Sequence, residues 1–182
     1  MEKRGLLAGA RRLWAGAALT AAALLVAGAV AAVLLRPASD PGKRETAAIG
    51  VDLVDFEGNE FSLGEYRGTP LVVNFWASWC PSCAAEMPAF ESVYQAFKGE
   101  VEFVGINNKD NRQAALELAH STGVTYRLAE DAGGEVFAAM GGAGMPTTLF
   151  IDGSGVVVER VAGGLSGDQL AGLIEEHLEV TR

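Results

Sequence analysis

The stretch Asn74–Pro88, which reads NFWASWCPSCAAEMP, decides the fold of this chain. The apolar run Leu71–Trp76 predicts a strand that is buried on both faces, and a helical pattern begins at Pro81. Cys80 and Cys83, the only two cysteines in the sequence, lie at this switch from strand to helix. A Cys-x-x-Cys pair in such a place indicates a dithiol that cycles with a disulfide.

The local pattern assigns different roles to the two cysteines. Cys80 precedes the helix, and Pro81 occupies the first helical position, which proline favours. Unpaired backbone N–H groups and the positive end of the helix would face the sulfur of Cys80 and favour its thiolate, the form that attacks a disulfide. Cys83, one turn later, would be covered and act as the resolving thiol, so that the mixed disulfide with a substrate forms at Cys80.

The composition excludes two other classes of site. The net charge is −9, and an acidic surface repels phosphate, so nucleic-acid binding is not expected. A zinc site needs four ligands, but the chain has no second cysteine pair, and its only histidines, His120 and His177, have no metal-like spacing. No metal and no other cofactor is therefore predicted.

The remaining patterns predict an α/β domain. In chain order we expect a hairpin at 51–63, the central strand, a helix at 81–98, a strand at 101–106, a helix at 112–121, a strand at 124–128, a short helix at 134–140, a hairpin at 147–161 and a helix at 166–178. Parallel strands linked by helices, with a terminal antiparallel hairpin, predict a mixed sheet covered by helices. The acidic residues Glu130, Asp131 and Glu135 are interpreted as a solvated loop.

A long apolar segment precedes the domain. Residues 13–35 carry no charge and, as a helix at about 1.5 Å per residue, would span roughly 35 Å, enough to cross a hydrocarbon core of about 30 Å. Basic residues before it place residues 1–12 in the cytoplasm and the domain outside, as a single-pass protein of the cell membrane. The alternative is a cleaved secretory signal. Residues 36–48 are interpreted as a linker and residues 49–182 as the folded domain.

The Cys-x-x-Cys stretch resembles the active-site segment of the thioredoxin superfamily and, more narrowly, of the membrane-anchored TlpA/ResA group of thiol-disulfide oxidoreductases. Residues 49–67 resemble the N-terminal hairpin of that group, residues 107–142 its helix–strand insert, and Gly144–Asp152 the segment around its cis-proline. The resemblance covers about residues 48–180. It implies a thioredoxin-like three-layer fold: a central mixed sheet flanked by helices, with an N-terminal β-hairpin and a central helix–strand insert, preceded by one transmembrane helix.

The resemblance also implies which residues surround the pair. Pro146 would follow a cis peptide bond and lie against the disulfide, whereas the alternative is an ordinary loop proline. The backbone of Met145 would pair with an extended substrate segment. Trp79 would lie at the rim and shield Cys80.

Two further positions bear on proton transfer. Asn74 stands where thioredoxins proper carry a buried aspartate, and an amide cannot accept the proton of Cys83. Glu86 stands where ResA-like proteins carry a functional glutamate, and partial burial would raise its pKa toward neutrality. We therefore predict that Glu86 shuttles the proton of Cys83; the alternative is that it only stabilises the first turns of the helix.

Two directions of electron flow stay open. As a reductant, the predicted direction, the domain would reduce disulfides of exported proteins such as apocytochrome c during cytochrome c maturation, with electrons from a CcdA/DsbD-like membrane protein. As an oxidant it would introduce disulfides into exported proteins, as DsbE/DsbF-like relatives do. A peroxiredoxin-type peroxidase is disfavoured because the Pro-x-x-x-Thr-x-x-Cys loop is missing before Cys80. A non-catalytic binding domain that only uses the fold is a further alternative.

Overall fold

Seven strands form one mixed β-sheet in the computed structural model, which describes residues 50–180. In chain order they are β1 (Asp52–Asp55), β2 (Glu60–Ser62), β3 (Leu71–Trp76), β4 (Glu102–Asn108), β5 (Arg127–Asp131), β6 (Thr147–Ile151) and β7 (Val157–Ala162). Across the sheet they lie in the order β2-β1-β5-β4-β3-β6-β7. Strands β3, β4 and β5 run parallel, and the other neighbours pair antiparallel. The predicted mixed sheet is confirmed.

Strand β3 is a central strand of the sheet, between β4 and β6, and all six of its side chains are buried. Alternate residues point to opposite faces, so Val73 and Phe75 enter one apolar cluster and Val72 enters another. Asn74 pairs across the strands with Thr148 of β6. The cysteine loop therefore follows the carboxyl end of a central strand, between the ends of β4 and β6.

Helices cover both faces of the sheet. Within the described residues the α-helices are α1 (Pro81–Ala96), α2 (Arg112–Thr122), α3 (Glu135–Ala139) and α4 (Gly167–His177), and a 3₁₀ turn spans Leu63–Tyr66. On one face Phe90 of α1 and Ile174 of α4 share a buried cluster with Val72. On the other face Phe137 of α3 packs edge-on against Phe75, with ring centroids 5.2 Å apart. These layers are the predicted three-layer arrangement.

The strand predicted at residues 124–128 is wrong by three residues at each end. β5 begins at Arg127, opposite Val104 of β4. The carboxylate of Glu91 on α1 accepts hydrogen bonds from the N–H and the hydroxyl of Thr125, both at 2.7 Å. Because these bonds join Thr125 to a helix, the sheet pairing starts only after it.

The interpretation of the acidic residues as a solvated loop is also wrong for Glu130 and Asp131, which belong to β5. Asp131 is only 4% exposed. Its carboxylate accepts hydrogen bonds from the N–H groups of Gly134 at 2.9 Å and Phe137 at 2.8 Å, at the start of α3. Such donors allow a carboxylate to be buried, so this residue anchors α3 to the sheet.

The predicted segments 1–12, 13–35 and 36–48 lie outside the described residues. From residue 50 to residue 180, no helix is both long and apolar enough to span a membrane.

Candidate active site

Cys80 and Cys83 form a disulfide where β3 gives way to α1, with their Cα atoms 5.3 Å apart. Cys80 is the N-cap of α1 and Pro81 its first residue, as the sequence predicts. The N–H of Cys83 donates to the sulfur of Cys80 at 3.2 Å, and the hydroxyl of Ser82 lies 3.4 Å from the same atom. On reduction, these donors and the amino end of the helix would stabilise a negative charge on Cys80.

The surroundings of the disulfide are mostly apolar. Cys83 is fully buried and Cys80 is 4% exposed, within a cluster that includes Trp76 and Met87. Trp79, by contrast, is 56% exposed, and its indole N–H donates to the carbonyl of Lys109 at 3.1 Å. Trp79 thus lies at the rim, as the resemblance implies, whereas Trp76 is fully buried. An exposed aromatic ring next to Cys80 offers apolar contact to an approaching protein chain.

The loop before β6 adjoins the cysteine loop, because β6 runs antiparallel to β3. The Met145–Pro146 peptide bond is cis, as the resemblance implies. The N–H of Gly163 donates to the carbonyl of Pro146 at 2.9 Å, and the hydroxyl of Thr147 donates to that of Gly144 at 2.6 Å. Met145 is half-buried and packs against the cluster that contains both cysteines.

Glu86 lies three residues after Cys83, on the same side of α1, and is 4% exposed. Its two oxygens accept hydrogen bonds from Nδ2 of Asn74 at 2.9 Å and from the N–H of Leu165 at 3.0 Å. Burial raises the pKa of Glu86 to about 7, because the two hydrogen bonds offset only part of the lost hydration. Burial is deeper than the sequence suggests, and the carboxyl can take or give a proton near neutral pH.

The amide of Asn74 holds this carboxylate from the sheet side. Its Nδ2 also donates to the hydroxyl of Thr148 at 3.2 Å, while its Oδ1 is buried without a hydrogen-bond partner among the described residues. Through the N–H groups of its Nδ2, Asn74 therefore positions the carboxylate of Glu86. Nearby, burial and the negative charge of Glu86 both raise the pKa of Tyr126.

Sequence reasoning missed Asp110, which lies between β4 and α2 and binds the loop before Cys80 through Ser78. The only local pattern is an Asp-Asn pair before a helix, which predicts an N-cap. Asn111 fills that role, since its side chain accepts the N–H of Ala114 at 3.0 Å. The contact with Ser78 spans 32 residues of sequence, so no local pattern could have revealed it.

Comparison with known proteins agrees with this geometry. Residues 45–160 match the AhpC/TSA family. The thiol-disulfide oxidoreductase ResA of Geobacillus kaustophilus is 32% identical over 128 residues, which cover 70% of this chain and 71% of ResA. The thiol:disulfide interchange protein DsbE of Vibrio cholerae is 31% identical over 169 residues, which cover 85% of this chain and 90% of DsbE.

Solved structures give the same result. MTB dsbF superposes with a TM-score of 0.67 at 30% identity, covering 71% of this chain and 96% of dsbF. A secreted Mycobacterium tuberculosis disulfide oxidoreductase homologous to E. coli DsbE superposes with a TM-score of 0.66 at 26% identity, covering 71% of this chain and 98% of that one. The chain therefore belongs to the AhpC/TSA family and is a thioredoxin-like thiol-disulfide oxidoreductase of the ResA/DsbE type.

Proposed function

We propose that the Cys80–Cys83 pair reduces disulfides in exported proteins, with apocytochrome c as the candidate substrate. The observation that carries thiol-disulfide exchange at Cys80, on which the proposal rests, is the unequal placement of the two sulfurs. The sulfur of Cys80 accepts an N–H at the amino end of α1, whereas Cys83 is fully buried behind it. An incoming disulfide therefore meets Cys80 first.

The reaction consists of two exchanges. The thiolate of Cys80 attacks a substrate disulfide, which forms a mixed disulfide and releases one substrate thiolate. Cys83 then loses its proton and attacks the sulfur of Cys80, which releases the second substrate thiolate and leaves the Cys80–Cys83 disulfide. Two electrons pass from the domain to the substrate. Glu86 accepts the proton of Cys83, for which a pKa of about 7 is suited.

The loop at Met145 completes the substrate site. Because the cis bond to Pro146 and the disulfide lie at the same end of the sheet, an extended segment of substrate can pair with the backbone of Met145 while its sulfur reaches Cys80. Trp79 flanks this segment and adds apolar contact.

The cellular setting is part of the proposal. The apolar residues 13–35 would hold the chain in the cell membrane as a single-pass anchor, with the domain outside the cytoplasm. A domain that gives up two electrons per turnover needs a donor, so we propose a CcdA/DsbD-like membrane protein. The relatives named thiol-disulfide oxidoreductase ResA support thiol-disulfide exchange as the reaction. The reductant direction is the part that we add, and cytochrome c maturation is the process that would use it.

Trapping in intact membranes tests the proposal. Cys83→Ser removes the resolving thiol, so mixed disulfides should accumulate at Cys80 and should contain apocytochromes with a Cys-x-x-Cys-His sequence. Cys80→Ser is the matched control and should trap nothing. Many unrelated exported partners without apocytochromes would point to the oxidant direction. Trapping by Cys80→Ser in place of Cys83→Ser would contradict the assignment of the attacking thiol.

A further inference from the structure

The loop between β4 and α2 carries a carboxylate that accepts four hydrogen bonds. Oδ1 of Asp110 accepts the hydroxyl of Ser78 at 2.6 Å and the N–H of Asn111 at 2.7 Å. Oδ2 accepts the N–H of Ser78 at 2.5 Å and Nδ2 of Asn107 at 2.9 Å. Burial raises the pKa of Asp110, but the hydrogen bonds from these partners outweigh that effect and lower the pKa below its usual value. The side chain is therefore an anion at neutral pH.

The segment that Asp110 binds leads directly into Cys80. Ala77–Cys80 is a tight turn, closed by a hydrogen bond from the N–H of Cys80 to the carbonyl of Ala77 at 3.2 Å. Of its two central residues, Ser78 binds the carboxylate of Asp110 and Trp79 binds the carbonyl of Lys109. The last residue of the turn is the N-cap of α1. The turn is thus fixed from outside at both central positions.

The loop between β4 and α2, which carries Lys109 and Asp110, is itself bonded to the sheet. Lys109 has a φ of 48°, in the left-handed region that a residue other than glycine rarely adopts. Its N–H donates to the carbonyl of Asp131 at 3.1 Å, which ties the loop to the end of β5. Asn107, the second donor on Oδ2 of Asp110, is buried within β4. The carboxylate of Asp110 therefore links the turn to β4, and the backbone of Lys109 links the same loop to β5.

We propose that Asp110 is a positioning residue that holds the Ala77–Cys80 turn, and through it the sulfur of Cys80, at the amino end of α1. The inference rests on the proposed role of Cys80 as the attacking thiol. A positioning role of Asp110 and a purely electrostatic effect of its charge predict opposite changes in the ionisation of the Cys80 thiol. A well-placed sulfur receives the N–H of Cys83 and is easier to ionise, whereas a nearby negative charge by itself would make the thiol harder to ionise.

The test measures the ionisation of Cys80 directly. In the reduced full-length chain carrying Cys83→Ser, Cys80 is the only thiol, and its alkylation by iodoacetamide follows the thiolate fraction as pH rises. Adding Asp110→Ala should raise the midpoint by about one pH unit, so that alkylation well below the midpoint slows about tenfold. Adding Ser78→Ala keeps the carboxylate and removes one hydrogen bond, and it should raise the midpoint by a smaller amount.

Asp152 provides a matched control at the far end of β6. Its carboxylate also accepts the N–H and the hydroxyl of one serine, Ser154, at 2.9 and 2.6 Å, together with the N–H of Val156 at 3.0 Å. Asp152→Ala should lower the urea midpoint of unfolding and leave the alkylation midpoint of Cys80 unchanged.

An alkylation midpoint that stays the same or falls in Asp110→Ala overturns the positioning role. If that variant does not fold, an unchanged midpoint in Ser78→Ala overturns it. Failure of the underlying function looks different: the protein with native Asp110 would then show a midpoint no lower than that of an ordinary cysteine, about 8.5.

Discussion

The substitution Glu86→Gln should remove the part of the pH dependence of the unfolding free energy that comes from the ionisation of Glu86. Glutamine has the shape of a protonated glutamate but cannot ionise. At low pH both side chains are neutral. The glutamine oxygen can accept the N–H of Leu165, and its Nε2 can donate to Oδ1 of Asn74 once that amide turns over, so the two proteins should unfold with similar free energies. The difference between them should appear only as the native carboxyl loses its proton.

The magnitude follows from the pKa of Glu86, which is raised from 4.5 to about 7. At about 1.4 kcal/mol per pH unit, ionisation costs roughly 3 kcal/mol more in the folded than in the unfolded protein. The folded state holds its proton more tightly, so this contribution to stability is complete below pH 4.5 and is lost as the pH rises through about 7. At pH 9 Glu86→Gln should therefore be more stable than the native protein by about 3 kcal/mol.

Urea unfolding of the oxidised protein at pH 4 and pH 9 measures this difference. Glu91→Gln is a control on the same helix with the opposite sign. Burial raises the pKa of Glu91, but its bonds to Thr125 and Gln95 outweigh that effect and lower it, so this carboxylate stabilises the fold above its unfolded pKa. If the free-energy difference between Glu86→Gln and the native protein were the same at both pH values, Glu86 would not titrate as a buried acid.

Three other changes test the surrounding structure. Asn74→Asp places a second carboxyl against Glu86 and should cost about 3 kcal/mol at pH 8 but much less at pH 4, by urea unfolding. Gly105→Ala would bring a Cβ within 2.6 Å of Cδ2 of Leu128 and should lower the unfolding free energy by about 1–3 kcal/mol. An unchanged urea midpoint would mean that the side chain of Leu128 moves aside freely. Phe90→Ala empties a fully buried site and should cost about 4 kcal/mol while the alkylation midpoint of Cys80 stays the same.

The parts of the fold that the sequence predicts are those decided by local patterns. The all-apolar run of β3 predicts a strand buried on both faces, and the Cys-Pro pair predicts the start of α1, because burial and N-capping depend on neighbouring residues. The cis bond before Pro146 came from the resemblance, since no local pattern requires it.

The parts that the sequence could not predict depend on contacts between distant segments. The start of β5 is shifted by Glu91 of α1, which lies 34 residues before Thr125. Asp110 is tied to Ser78 across 32 residues. Asp131 is different: its donors lie only three and six residues away, and its burial was missed because the sequence places the end of β5 before it. For Glu91 and Asp110, a carboxylate that appears ordinary in the sequence binds a partner that only folding brings near.

Whether Cys80 reduces a substrate disulfide can be measured by rapid mixing of the reduced protein with a peptide that contains a Cys-x-x-Cys-His disulfide. Mass spectrometry of quenched samples then identifies the products. The native protein should convert one peptide disulfide to a dithiol for each Cys80–Cys83 disulfide it forms. Cys83→Ser should stop at a mixed disulfide on Cys80, and Cys80→Ser should not react. Reduction of the peptide by Cys80→Ser at the native rate, or no reduction by the native protein, would contradict the role of Cys80 as the thiol that reduces substrate disulfides.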